Sequence, residues 1–132
     1  MQRAGLSTDG LMVDGDFNTP SGTVGAVHLL VRGIDALFCG NDAMASGALD
    51  ALRERGLRVP DDVALAGFDD LDFAAHLDPP LTTVRQGVRE QGGEAARALF
   101  DLMGDPSVGP RRVILPTELV IRPSTVGRPQ RG

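Results

Sequence analysis

Short apolar runs in this sequence end repeatedly in polar pairs, and helical patterns fill the spaces between them. Leu11-Met12-Val13 gives way to Asp14-Gly15-Asp16-Phe17. Ala36-Leu37-Phe38-Cys39 runs into Gly40-Asn41-Asp42, and Val63–Gly67 into Phe68-Asp69-Asp70. The runs at 36–39 and 63–67 do not alternate, which predicts parallel strands buried on both faces. Thr19-Pro20 opens the first intervening helix, expected to reach Arg32 with Val24, Val27, His28 and Val31 on its inner face. Asn41 or Asp42 caps the second, expected to reach Arg55 with an inner stripe of Met44, Ala45, Ala48, Leu49 and Leu52. Gly33 and Gly56 close these two helices. After a helical turn at 72–76, Asp78-Pro79-Pro80 breaks the chain and 81–84 is extended. A third helix is predicted from Gln86 to Met103, then short strands at 113–115 and 119–121. The fold class is therefore α/β, a parallel sheet with helices on both faces.

In such sheets ligands bind beyond the carboxyl ends of the strands. Three strand ends here carry Asp16 and Phe17, Asn41 and Asp42, and Asp69 and Asp70, all expected to open on one edge. A carboxylate at Asp69 can bridge vicinal hydroxyls, Asn41 offers a donor and an acceptor, and Phe17 offers a flat apolar face. Together they suit a small polyol or a nucleobase. The bland alternative is that Asn41 and Asp42 cap a helix, Asp69 caps a turn and Phe17 is core. For Asp42 the capping role is the preferred reading.

Composition removes other classes. The 132 residues make one domain at most, with a net charge of −5 and no lysine. Without a basic cluster the segment lacks the phosphate contacts of a nucleic-acid reader, and without lysine it lacks a Walker A loop. The spacing at 51–63 is reminiscent of a helix–turn–helix, but its second half is strand-like. The lone Cys39, inside an apolar strand, reads as an inert core thiol in a reducing compartment, which favours the cytoplasm. No apolar run is long enough to cross a membrane, and no signal peptide is visible at Met1. Asp69, Asp70, Asp72 and Asp78 read as solvated loop acids rather than a Mg²⁺ site. His28, expected to be partly buried, and His76 have no metal-ligand spacing to other residues. No nucleophile elbow and no dinucleotide fingerprint is present. Neither an enzyme nor a cofactor or metal is expected.

Five motifs run in order: Phe38-Cys39-Gly40-Asn41-Asp42-Ala43-Met44-Ala45, Gly56 to Val63, Gly67-Phe68-Asp69-Asp70, Pro79 to Gln86, and Leu115 to Arg122. From about Gly5 to Thr125 the chain resembles the effector-binding core of LacI/GalR-type transcriptional regulators. The resemblance implies a periplasmic-binding-protein-like type I fold, here incomplete. Residues 1–84 would be part of the C-terminal lobe, 85–125 the return segment to the N-terminal lobe, and 126–132 a disordered tail. It implies a small-molecule effector such as a sugar or nucleoside, a homodimer, and operator DNA reached through an N-terminal head outside this chain. By position, Phe17 resembles the aromatic platform, Asn41 a hydroxyl contact, Asp69 the central ligand carboxylate, and Gln86 a residue near the hinge that touches ligand. Part of the fold being absent, Val88, Leu99 and Met103 are expected to be exposed and the chain to be marginally stable. A periplasmic sugar-binding protein of a transport system uses the same fold and is the alternative, with an acidic-site enzyme third.

Overall fold

The computed structural model describes residues 7–126. Its elements follow the order α1 (Thr19–Leu30), β1 (Ala36–Phe38), α2 (Asp42–Glu54), β2 (Ala64–Ala66), a 3-10 turn (Asp72–His76), β3 (Thr83–Gln86), α3 (Val88–Gly104), a second 3-10 turn (Pro106–Val108) and β4 (Thr117–Val120). The tail expected at 126–132 lies, apart from Val126, outside the described residues.

β1 and β2 pair in parallel, with Leu37 opposite Leu65. The strand direction continues through a parallel bridge between Ala66 and Thr82. β3 then pairs antiparallel with β4, Arg85 opposite Glu118. The core sits where α1 and α2 meet β1 and β2. Leu37, Cys39 and Leu65 come from the sheet, Ala45, Ala48, Leu49 and Leu52 from α2, and Ala26 and Leu29 from α1. Leu81 and Ala74 close it from the later loops.

Glycine lets the two helices cross closely. A Cβ on Gly22 would come within 2.0 Å of the Met44 carbonyl oxygen, and one on Gly47 within 2.0 Å of the Thr19 carbonyl oxygen. The Thr23 hydroxyl donates to the Gly47 carbonyl at 3.0 Å across this contact. Asn18 caps α1 by accepting from Ser21 N–H, and Pro20 stands in the first turn. Gly33 and Gly56 take left-handed φ values of 69° and 68° just beyond their helices, as expected of helix-ending glycines.

Several sequence expectations are corrected. Leu11–Val13 forms no strand and makes no ladder with β1, whose edge away from β2 is unpaired among the described residues. Instead it and β1 both line one apolar groove. The inner face of α1 is Gly22, Ala26 and Leu29, whereas Val24, His28 and Val31 are exposed. The close crossing selects small residues there, which apolar periodicity does not detect. β1 is covered on one face only: Leu37 and Cys39 are buried, Ala36 and Phe38 exposed. The stretch 113–115 is irregular. α3 buries no residue among those described, and Val88, Leu99 and Met103 are exposed as expected.

Candidate functional site

At the carboxyl ends of β1 and β2 the chain bends sharply. The non-glycine residues with left-handed backbone, among those described, are Phe17 (φ 56°), Asp69 (φ 108°) and Asp70 (φ 57°). Asp69 and Asp70 follow β2, while Phe17 precedes α1 and lies beside Gly40 at the end of β1; pattern alone had singled out all three loops. Such a conformation costs of order 1–3 kcal/mol per residue and persists only where neighbours impose it.

Those neighbours are visible. Asn41 Nδ2 donates to the Phe17 carbonyl at 2.9 Å, while its Oδ1 accepts from Met44 N–H at 2.8 Å. The side chain thus caps α2 and ties the Phe17 loop to the end of β1. One Nδ2 proton stays uncommitted. The Phe17 ring is 68% exposed and lies beside Gly40, where a Cβ would be 3.4 Å from its Cε1. It is a surface platform, not core.

The Asp69–Asp70 turn is held by β3. Asp69 N–H donates to the Val84 carbonyl at 2.9 Å. Gln86 Nε2 donates to Asp69 Oδ1 at 2.5 Å, and Gln91 Nε2 in turn donates to Gln86 Oε1 at 3.0 Å. Among the described residues Asp69 Oδ2 has no side-chain partner. One oxygen is anchored and the other remains able to accept from a ligand. The structure therefore joins the four sequence-selected residues in two pairs, Phe17 with Asn41 and Asp69 with Gln86, at the same end of the strands.

Two carboxylates are corrected. Asp42 caps no helix; Asn41 does. Asp42 is fully buried and sits beneath the site. Its Oδ2 accepts from Leu71 N–H at 2.8 Å, its Oδ1 from the Thr83 hydroxyl at 2.6 Å, and its own N–H donates to the Phe68 carbonyl at 2.8 Å. Burial pushes its pKa up. The bonds from Thr83 and Leu71 oppose this, and the Asp69 and Asp70 charges add to the rise. Asp70 is no solvated loop acid: its side chain is 7% exposed and bonded at 2.6 Å by both Arg85 Nε and Arg122 Nη2. Burial alone would raise its pKa, but the hydrogen bonds and charges of Arg122 and Arg85 together outweigh it and hold the pKa down. The spacing of an Asp pair at a strand end marks the place, not the division of labour within it. That depends on Arg85 and Arg122, 15 and 52 positions away.

Cys39 is buried, and desolvation pushes its thiol up to about 12, which suits an inert core residue. His76 Nδ1 contacts the Asp72 carbonyl at 2.8 Å. Among the described residues no three His, Cys, Asp or Glu side chains are grouped to hold a metal, and no helix is long and apolar enough to cross a membrane.

Residues 1–125 match the family described as periplasmic binding protein-like domain. The transcriptional regulator CelR of Thermobifida fusca is 41% identical over 124 residues, covering 92% of this chain and 36% of CelR. A solved CelR–cellobiose complex superposes with TM-score 0.86 at 40% identity, covering 93% of this chain and 38% of that one. A LacI family transcriptional regulator from Enterococcus faecium with bound ribose gives TM-score 0.76 at 30% identity, covering 84% of this chain and 41% of that one. The chain spans about two-fifths of the length of these relatives. It belongs to the periplasmic binding protein-like domain family, in the form that LacI-type transcriptional regulators use as their sensor domain.

Proposed function

We propose that this chain supplies one wall of a saccharide-binding cleft in a LacI-type regulator, with Phe17, Asn41, Asp69 and Gln86 as ligand contacts. The supporting observation is the pair of left-handed residues Phe17 and Asp69. They present an exposed aromatic face and a half-committed carboxylate at the same strand ends. A sugar ring has an apolar C–H face that stacks on an aromatic ring, and vicinal hydroxyls that a carboxylate oxygen accepts from. Asn41 contributes its spare Nδ2 proton. Gln86 fixes the Asp69 rotamer and lies on the strand that leads away into α3. That cellobiose and ribose occupy two related regulators supports a small saccharide as the class of effector.

On this reading residues 1–84 form part of one lobe and 85–125 return to the other. The exposed apolar residues of α3 pack there, in a cytoplasmic homodimer whose operator contacts are made by a helix–turn–helix head elsewhere in the polypeptide. The regulator names of the relatives favour this over a transport binding protein.

The test uses the complete reading frame. Upstream codons should encode a helix–turn–helix and a first lobe. In a gel-shift assay with saccharide, Asp69→Ala should keep operator binding and lose the response. A variant that responds at unchanged effector concentration would remove Asp69 from the site.

A further inference from the structure

Asp70 is one bond along the chain from the proposed ligand carboxylate, yet it faces the other way. Its Oδ2 accepts from Arg85 Nε on β3 and its Oδ1 from Arg122 Nη2, two residues beyond β4, both at 2.6 Å. Arg122 also donates to the Leu81 carbonyl at 2.9 Å, and Arg85 to Glu118 on β4 at 3.0 Å. Asp70 N–H donates to the Thr83 hydroxyl at 3.3 Å, and that hydroxyl donates to buried Asp42. The outgoing strand β3, the incoming strand after β4 and the loop carrying Asp69 therefore meet on one carboxylate. These are the segments by which the chain leaves toward α3 and comes back.

Two consecutive left-handed residues that are not glycine do not hold that shape unaided. Something must impose it. The carboxylate of Asp70, largely buried and gripped from two strands, is the most strongly bonded group in the turn.

We infer that Asp70, with Arg85 and Arg122, is a positioning cluster. It locks the Asp69 loop in its ligand-ready conformation and ties occupancy of the site to the placement of the two crossing strands. This rests on the proposed saccharide site for its ligand, but not for its geometry. Binding that pulls on Asp69 is transmitted to β3 and β4 through the Asp70 carboxylate, largely buried and held at 2.6 Å by an arginine from each side. Asp70 touches no ligand.

The test separates geometry from ligand binding. Asp70→Asn keeps the shape and tolerates left-handed backbone, but removes the charge that holds both arginines. Arg122→Met removes one grip, and Arg122→Lys partly restores it. In the 132-residue chain, amide hydrogen exchange read by mass spectrometry should speed up roughly tenfold or more over 67–71 in Asp70→Asn and Arg122→Met, with α2 unchanged and Arg122→Lys between. Unchanged protection of 67–71, or loss spread equally through α2, would overturn the positioning role. In the complete regulator, cellobiose and ribose are titrated calorimetrically. Where either binds, Asp70→Asn should weaken it about tenfold and Asp69→Asn further still. Wild-type affinity in Asp70→Asn would also overturn the inference. Failure of every saccharide on the wild type would defeat the proposed function, and the cluster would then stand or fall on the exchange data alone.

Discussion

Asn41 reaches across 24 positions of sequence to hold Phe17: its Nδ2 donates to the Phe17 carbonyl at 2.9 Å while its Oδ1 caps α2. One amide thus does two jobs that substitution can separate. Asn41→Asp keeps the capping oxygen and loses the donor. Asn41→Ala loses both. In urea denaturation Asn41→Ala should cost about 1–2 kcal/mol, a typical cap loss, and Asn41→Asp less. Saccharide affinity should fall in both, because each releases the Phe17 loop.

Glycines in different helices should respond to alanine with opposite sign. At Gly22 or Gly47 an added Cβ meets helix backbone at 2.0 Å, so each Gly→Ala should destabilise by about 1–3 kcal/mol or more despite alanine's helix propensity. Gly92 in α3 has nothing within 4 Å of an added Cβ, so there the substitution should stabilise by up to about 1 kcal/mol. Thermal unfolding of the three variants checks this.

Asp42 and Asp70 should bend the pH–stability curve in opposite directions. The pKa of Asp70 is held below its ordinary 3.8, so its contribution is complete above pH 3.8 and is lost as pH falls through the lower folded value. The pKa of Asp42 is raised above 3.8, so the folded state binds the extra proton. Its contribution is complete below 3.8 and is lost as pH rises through the folded value. Asp70→Asn should therefore flatten the acid limb, and Asp42→Asn should reduce the decline above pH 3.8. Urea titrations between about pH 2 and 6 read both.

Cys39 should resist an aromatic disulfide reagent at neutral pH in the native protein, since burial both covers the thiol and pushes it up to about 12. Reaction should appear only with unfolding, at a rate that tracks urea concentration. Rapid labelling of the native state would show that β1 opens locally.

α3 displays Val88, Leu99, Phe100 and Met103 to solvent, with Ile114, Leu119 and Ile121 also exposed. An uncovered apolar surface of this kind drives association. Sedimentation velocity of the 132-residue chain should show self-association that rises with concentration. Substituting Leu99 and Phe100 with Gln should reduce it.

Much of this architecture is legible in the residues because the signals are local. The stripe of Ala45, Ala48, Leu49 and Leu52 marks the buried face of α2, and Gly33 and Gly56 mark helix ends. The strand-end rule locates the loops of Phe17, Asn41 and Asp69. What escapes such reading is set by distant partners. Leu11–Val13 has strand composition but pairs with no strand. The inner face of α1 is defined by how closely Gly22 approaches Met44, a property of the crossing rather than of α1. Asp69 and Asp70 are chemically identical in the sequence, and only Gln86, Arg85 and Arg122 divide them into an anchored but available carboxylate and a buried structural one.

The most direct test of the strand-end site is a hydrogen-exchange footprint of the complete regulator with saturating cellobiose or ribose. Protection is expected in peptides spanning 15–19, 39–44, 67–71 and 84–87. Protection centred instead on the depression at the opposite ends of the strands, lined by Val27, Ile34, Leu57 and Val63, would contradict it.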